Sequence, residues 1–239
     1  MPGRLFISYS GKLGGAERVL LDAATGVGGE SVLACPDGEL AAQARSAGLG
    51  VLTLPARGLD LRIGARARAR ATRDLTSHAR EVRSLAGALE PDLIVAWGMR
   101  SAIACLLAAP AVPFAVAHHD FLPGAVIGHA VRAACRRAAV VVAPSQAVAD
   151  DLDPAGVLGD RLRVLAPGID VESFSDAGAP ANPPEVLVLG SLVAWKRPEF
   201  ALEIFARALR AAPELRLRLV GAPITGSEPT LARLRTRAA

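Results

Sequence analysis

Aromatic side chains are scarce in this chain: Phe, Trp and Tyr together make up 4% of its 239 residues, with one tyrosine and two tryptophans. A sizeable core must then be built from Ala, Val, Leu and Ile, which a hydrophobic content of 51% supplies. Cysteine is scarcer still. Cys35, Cys105 and Cys135 are odd in number, far apart and set in apolar stretches. They read as reduced core thiols of a cytoplasmic protein rather than as a disulfide framework. No C-x-x-C pair or Cys/His cluster occurs, so no metal site is expected. No apolar run approaches the ~20 residues that a spanning helix needs. The N-terminus runs straight into an expected strand, Arg4–Tyr9, without the basic and then long apolar segments of a secretory signal, so none is expected. Neither sign of charge dominates: the net charge is +4, and charged residues at 21% are ordinary for a globular chain.

What is present is alternation. Continuous apolar runs at Leu5–Ser8, Ser31–Cys35, Val51–Leu54, Leu93–Trp97, Phe114–Ala117, Val140–Ala143 and Arg163–Leu165 read as strands buried on both faces. Helical patterns lie between them at Ala16–Thr25, Leu40–Ala47, Arg66–Leu89, Ser101–Ala108, Val126–Arg137 and Ala147–Leu152. Repeated strand–helix units predict an α/β fold with a doubly wound parallel sheet and right-handed crossovers over residues 1–175. The stretch Asp176–Pro184 (DAGAPANPP) supports neither strand nor helix and reads as a linker. The alternation then restarts over 185–239: strand Val186–Leu189, helix Glu199–Ala211, strand Leu217–Val220, helix Thr230–Arg237. Two βα units make a marginal sheet, so this second domain is expected to be partial, its remainder lying in further chain or in a partner.

Four constellations could carry chemistry. Ser10-Gly11-Lys12-Leu13-Gly14-Gly15-Ala16-Glu17 follows the first strand, where glycines allow close backbone approach and the next helix offers free N–H groups to a phosphate or sugar oxygen. It lacks both the G-x-G-x-x-G spacing and a Gly-Lys-Ser/Thr ending, so it is neither a dinucleotide fingerprint nor a P-loop. His118-His119-Asp120 closes a buried-type strand, at the edge where open α/β sheets bind ligands; local backbone capping is the plainer alternative. Gly190-Ser191 ends another strand, and Lys196-Arg197 stand before Pro198, which suits the first position of a helix. Two positive sources there could meet a diphosphate, or the pair could be merely solvated. Finally, Arg62, Arg66, Arg70, Arg73 and Arg80 share one helical face, opposite Leu75, Val82, Leu85 and Leu89. The basic stretch Arg62–Arg83 is either a solvated face or a contact for anionic lipid headgroups. With no aromatics between the arginines, nucleic acid is not expected.

In this order, Gly14-Gly15-Ala16-Glu17-Arg18, His119-Asp120, Val141-Val142-Ala143-Pro144-Ser145, Val164-Leu165-Ala166-Pro167-Gly168-Ile169-Asp170 and Gly190-Ser191 with Lys196-Arg197-Pro198 resemble the retaining glycosyltransferases of the GT-B fold, family four. The resemblance implies an acceptor-side and a donor-side Rossmann-like domain. It implies transfer of a hexose from a nucleotide-sugar co-substrate to a small-molecule, glycan or lipid acceptor, without metal or other cofactor. By it, His119 (or His118, one register away) contacts the transferred sugar. Lys196 neutralises the leaving diphosphate, and Gly14, Gly15, Gly190, Ser191 and Arg197 join in donor binding, with Asp120 and Ser145 nearby. The family pattern carries Arg where this chain has Ser191, and a later two-glutamate segment that would follow Ala239. The protein is expected in the cytoplasm, with the inner membrane face as a peripheral alternative. A chain that only binds acceptor or a membrane surface is the competing possibility. A nicotinamide-dependent oxidoreductase is disfavoured by the missing G-x-G-x-x-G turn.

Overall fold

A computed structural model describes residues 3–58, 65–174, 183–222 and 228–238. The chain divides into two compact units, Met1–Ile169 and Asp170–Ala239. In the first, strands β1 (Arg4–Ser8), β2 (Ser31–Pro36), β3 (Gly50–Leu54), β4 (Leu93–Trp97), β5 (Phe114–Ala117), β6 (Val140–Ala143) and β7 (Leu162–Val164) form one parallel sheet. Helices α1 (Gly15–Gly26), α2 (Glu39–Ser46), α3 (Ala65–Leu89), α4 (Gly98–Ala108), α5 (Ala125–Arg137) and α6 (Gln146–Leu152) connect successive strands. The spatial order is β3-β2-β1-β4-β5-β6-β7. The chain thus winds outward from β1 in one direction, then crosses back and continues from β4 in the other. This is the doubly wound α/β arrangement expected from the alternation.

Both faces of the sheet are covered, which is why its strands read as continuous apolar runs. Leu5, Ile7, Ile94, Ala96 and Val116 pack with α3, α4 and α5, whereas Phe6, Leu33, Cys35, Trp97 and Ala117 pack with α1 and α2. Alternate residues of one strand therefore serve opposite layers. Leu5, Ile7, Leu20, Leu33, Leu40 and Ile94 are fully buried, each contributing about 1.5–3 kcal/mol of hydrophobic stabilisation. Helix α4 lies between α3 and α5 and buries residues nearly all round, Ser101 to Cys105 and Ala108. Its alanines meet the dense packing that three covered sides impose. All three cysteines are free and buried. Burial pushes their thiols up, Cys35 to about 11 and Cys105 and Cys135 to about 12, so they are inert packing groups.

The long helix α3 buries Val82 and packs Leu75, Leu85 and Leu89 against the core, leaving Arg70, Arg73 and Arg80 exposed. Two arginines of the basic stretch have other work. Arg83 donates to the Ala108 and Leu107 carbonyls at the end of α4, at 2.8 and 3.2 Å, where a cation suits the carbonyl end of a helix. Arg57 pairs with Glu81 and bonds the Pro55 carbonyl. Arg62 and the side chains of Arg66 and Arg68 lie outside the described residues. So do residues 176–182 of the expected linker.

The second unit carries β8 (Glu185–Leu189), α7 (Pro198–Ala208), β9 (Arg216–Val220) and α8 (Glu228–Ala238). Its described strands form one parallel pair, Glu185 opposite Arg216 through Leu189 opposite Val220. Leu187 and Leu189 are 57% and 75% exposed, so the pair leaves apolar surface uncovered. Ion pairs Glu199–Arg233 and Glu203–Arg237, both at 3.1 Å, join α7 to α8. Helix α7 ends at Ala208, three residues before the expected Ala211, because bonds from Ala211 and Ala212 converge on the Ala208 carbonyl and close the turn. Short 3-10 turns at Gly159–Arg161, Val171–Phe174 and Ala194–Lys196 are too short to write a periodic pattern into the sequence. Among the described residues no helix is long and apolar enough to cross a membrane.

Candidate functional site

In the first unit the order of strands reverses between β1 and β4, and the turns leaving them run to opposite faces of the sheet. That divergence opens the crevice in which doubly wound sheets hold ligands. The β1–α1 turn forms one wall. Within it the sterically required glycine is Gly11: a Cβ there would stand 2.7 Å from the Pro36 carbonyl oxygen and 2.8 Å from that of Asp37. Gly11 also receives the Leu40 N–H at 3.0 Å, which locks this turn to the start of α2. Gly14 and Gly15, singled out by the sequence, behave differently. Gly14 sits at the N-cap of α1, and its N–H donates to the Glu17 carboxylate at 3.0 Å. Nothing lies within 4 Å of a Cβ built on Gly15. The first turn of α1 thus presents its amide end to open space, with the Gly14 amide already claimed by Glu17.

The other wall comes from the ends of β4 and β5. His118 continues the ladder, its N–H donating to the Val142 carbonyl at 2.9 Å, and its side chain is fully buried. His119 is half-buried, and its ring lies against the Trp97 indole with centroids 4.6 Å apart and planes 30° apart. Its Nε2 is buried and finds no hydrogen-bond partner among the described residues. Burial lowers the pKa of both histidines, against the opposing pull of the Asp120 carboxylate. Each is therefore held toward its neutral form, in which one ring nitrogen donates and the other accepts. Asp120 is exposed. The loop that follows is braced from behind: the Leu122 N–H donates to the Asp151 carboxylate at 2.8 Å, and Arg132 donates to the Asp151 and Leu152 carbonyls. Ser145 caps α6, its Oγ accepting from the Val148 N–H at 3.4 Å.

Trp97 is the residue that sequence inspection passed over. Besides meeting His119, its indole Nε1 donates to the Ala16 carbonyl in the first turn of α1 at 3.1 Å. The available signal was its rarity, one of two tryptophans in an aromatic-poor chain, at the carboxyl end of a strand. Asp151 and Arg132 gave no signal at all.

In the second unit, Gly190 follows β8 with φ at +157°, and its N–H donates to the Val220 carbonyl at 2.9 Å. A Cβ on Gly221 would collide with the Gly190 carbonyl, so the ends of β8 and β9 touch backbone to backbone. Ser191 is exposed, and its carbonyl receives the Val193 N–H at 2.9 Å. Lys196 closes the 3-10 turn and is exposed. Arg197 adopts the left-handed conformation at the N-cap of α7, with Pro198 first in the helix. Its guanidinium lies 4.9 Å over the Phe200 ring, so this cation is partly engaged by its own helix. Gly190, Ser191, Lys196 and Arg197 thus fall within one strand-to-helix connection.

The sequence model of Glycosyltransferase Family 4 matches residues 13–173. No curated protein matches the chain in sequence. Among solved structures, Anabaena HepE in complex with UDP and glucose superposes with a TM-score of 0.73 at 21% identity, over 99% of this chain and 66% of HepE. A glycosyltransferase from Rickettsia africae gives 0.67 at 14% identity, over 98% of this chain and 64% of that one. The lipopolysaccharide outer core galactosyltransferase WaaB in its apo form gives 0.64 at 13% identity, over 100% and 65%. The chain therefore spans about two thirds of the length of the structures it matches, and what it shares with them is the GT-B fold. With the match covering most of its length, the chain belongs to glycosyltransferase family 4.

Proposed function

We propose that this chain takes part in moving a hexose from a nucleotide-sugar to an acceptor hydroxyl, with retention of anomeric configuration and without a metal. The observation that carries this proposal is His119, a half-buried imidazole just past the carboxyl end of β5 in a family 4 chain, whose Nε2 has no hydrogen-bond partner among the described residues. A neutral imidazole at that place can accept from or donate to a sugar hydroxyl. The first-turn amides of α1, from Gly15 onward, offer partial positive charge to an anionic ligand. Gly14 joins them once the Glu17 carboxylate yields to a phosphate oxygen. Within the second unit, Lys196 and Arg197, with the Gly190–Ser191 backbone, supply cations and amides suited to a diphosphate. As the C1–oxygen bond to the diphosphate breaks and the acceptor oxygen bonds C1, passing its proton to the departing phosphate oxygen, charge collects on the leaving group, and a fixed cation stabilises it most in the transition state. Because HepE was solved with UDP and glucose, UDP-sugars are the first donors to try. The acceptor is a small molecule, glycan or lipid.

The test is to incubate the purified chain with UDP-glucose, UDP-galactose and UDP-N-acetylglucosamine and follow UDP release, with and without EDTA. Turnover unaffected by EDTA, and reduced about 100-fold or more in Lys196→Ala, is the expected result. The anomeric proton coupling of the product reports retention. Donor binding without turnover would favour a chain that only binds. The exposed Arg70, Arg73 and Arg80 on α3 support a further proposal, contact with anionic lipid at the inner membrane face, which flotation with phosphatidylglycerol vesicles would test.

A further inference from the structure

Trp97 stands at the point where the sheet changes direction. It closes β4, opposite Ser8 of β1 on one side and Ala117 of β5 on the other. Its side chain is 7% exposed and belongs to the layer formed with α1 and α2. A tryptophan there could simply fill space. Its two directed contacts go further. The indole N–H bonds the Ala16 carbonyl, in the first turn of α1, and one indole face meets the His119 ring 4.6 Å away. These contacts join segments 81 residues apart in one direction and 22 in the other. They are the two segments between which the donor sugar would lie.

An imidazole just past a strand has a choice of staggered χ1 wells and a broad χ2. His119 has no hydrogen bond at Nε2 among the described residues to fix its ring. The flat indole restricts it instead, since a ring 4.6 Å away at a 30° tilt obstructs rotation of the imidazole on that side. Catalysis by orientation needs such restriction, because small misplacements are costly. We propose that Trp97 is a positioning residue: it sets the plane of the His119 imidazole and ties it, through the Ala16 carbonyl, to the amide end of α1. The two walls of the crevice then hold one spacing. This rests on the proposal that His119 meets the transferred sugar, and it would make Trp97 a determinant of turnover rather than of donor affinity.

Two measurements test it. In the 239-residue chain, proton NMR of the histidine rings, with His119 assigned through His119→Gln, should show its ring protons displaced upfield by the indole ring current. Trp97→Leu should abolish the displacement, and Trp97→Phe should keep part of it. UDP release from the UDP-sugar that the parent turns over is then measured. In Trp97→Leu, kcat should fall about tenfold or more with KM within about twofold, and Trp97→Phe, which keeps a ring but no N–H, should fall between. If Trp97→Leu does not fold, Trp97→Phe decides alone: a kcat about threefold or more below the parent supports the proposal, and an unchanged kcat overturns it. Absence of the ring-current displacement in the parent overturns it, as does parental kcat in a folded Trp97→Leu; both leave the sugar-transfer proposal standing. A parent with the displacement but no UDP release overturns the sugar-transfer proposal, and the positioning role with it.

Discussion

His78 lies on the core face of α3, fully buried, with its ring edge-on to Tyr9 at 5.1 Å and the Glu81 carboxylate 3.6 Å from Nδ1. Burial, reinforced by the Arg57 guanidinium, pushes its pKa down to about 4 from 6.5, against the pull of Glu81. The folded state keeps His78 neutral, while the unfolded chain protonates it below pH 6.5, so the unfolded state binds more protons and stability falls as the pH drops. Between pH 6.5 and about 4 the loss from this group should be about 3 kcal/mol. His118 and His119, also lowered by burial, add in the same direction. Urea denaturation at pH 7.0, 5.5 and 4.5 should show this slope, and His78→Phe should flatten it without abolishing it. A buried histidine of this kind was not legible in the sequence. It occupies a position on the apolar stripe of α3 that the spacing marks as core, and only the fold brings Tyr9, Arg57 and Glu81 around it.

At the scale of elements, the β1–α1 turn shows what a motif does and does not tell. Its richness in glycine suggests closeness to a ligand, yet two of its glycines answer to different constraints. Gly11 is held by the backbone of the β2–α2 connection, whereas Gly15 faces open space. Gly11→Ala should therefore destabilise the chain by about 1–3 kcal/mol, lowering Tm by several degrees in a thermal melt. Gly15→Ala should leave Tm unchanged or raise it slightly, since nothing obstructs the added methyl and alanine suits a helix better than glycine. Equal melting of the two variants would show that the Pro36–Asp37 contact does not constrain the turn. The strands and long helices were legible because burial on both faces, or on one helical stripe, writes a period into the sequence. The 3-10 turn Ala194–Lys196 and the Trp97–His119 stack were not. The first is too short to have a period, and the second depends on the register that sets β4 beside β5.

For the whole molecule, the two sheets predict unequal local stability. β1 is paired on both sides and lies under helices on both faces. β8 and β9 pair with each other among the described strands and leave Leu187 and Leu189 largely exposed. Native-state hydrogen exchange should find the amides of β1 and β4 the slowest, with those of β8 and β9 faster by a hundredfold or so, or more. Equal protection would mean that the apolar surface of β8 and β9 is covered in solution. The alternation of elements announced a parallel sheet but left the order of strands open, because right-handed crossovers permit the chain to continue from either edge. That order, reversing between β1 and β4, has a consequence for how such a protein can change over generations. The apolar interior demands size and pattern rather than particular residues, while the crevice is made of turns that belong to different crossovers. Away from the Trp97 link to Ala16 and His119, substitutions at one turn can then accumulate without disturbing the opposite wall. The scaffold therefore tolerates wide difference in sequence, as an identity near one in five with HepE at a TM-score of 0.73 illustrates.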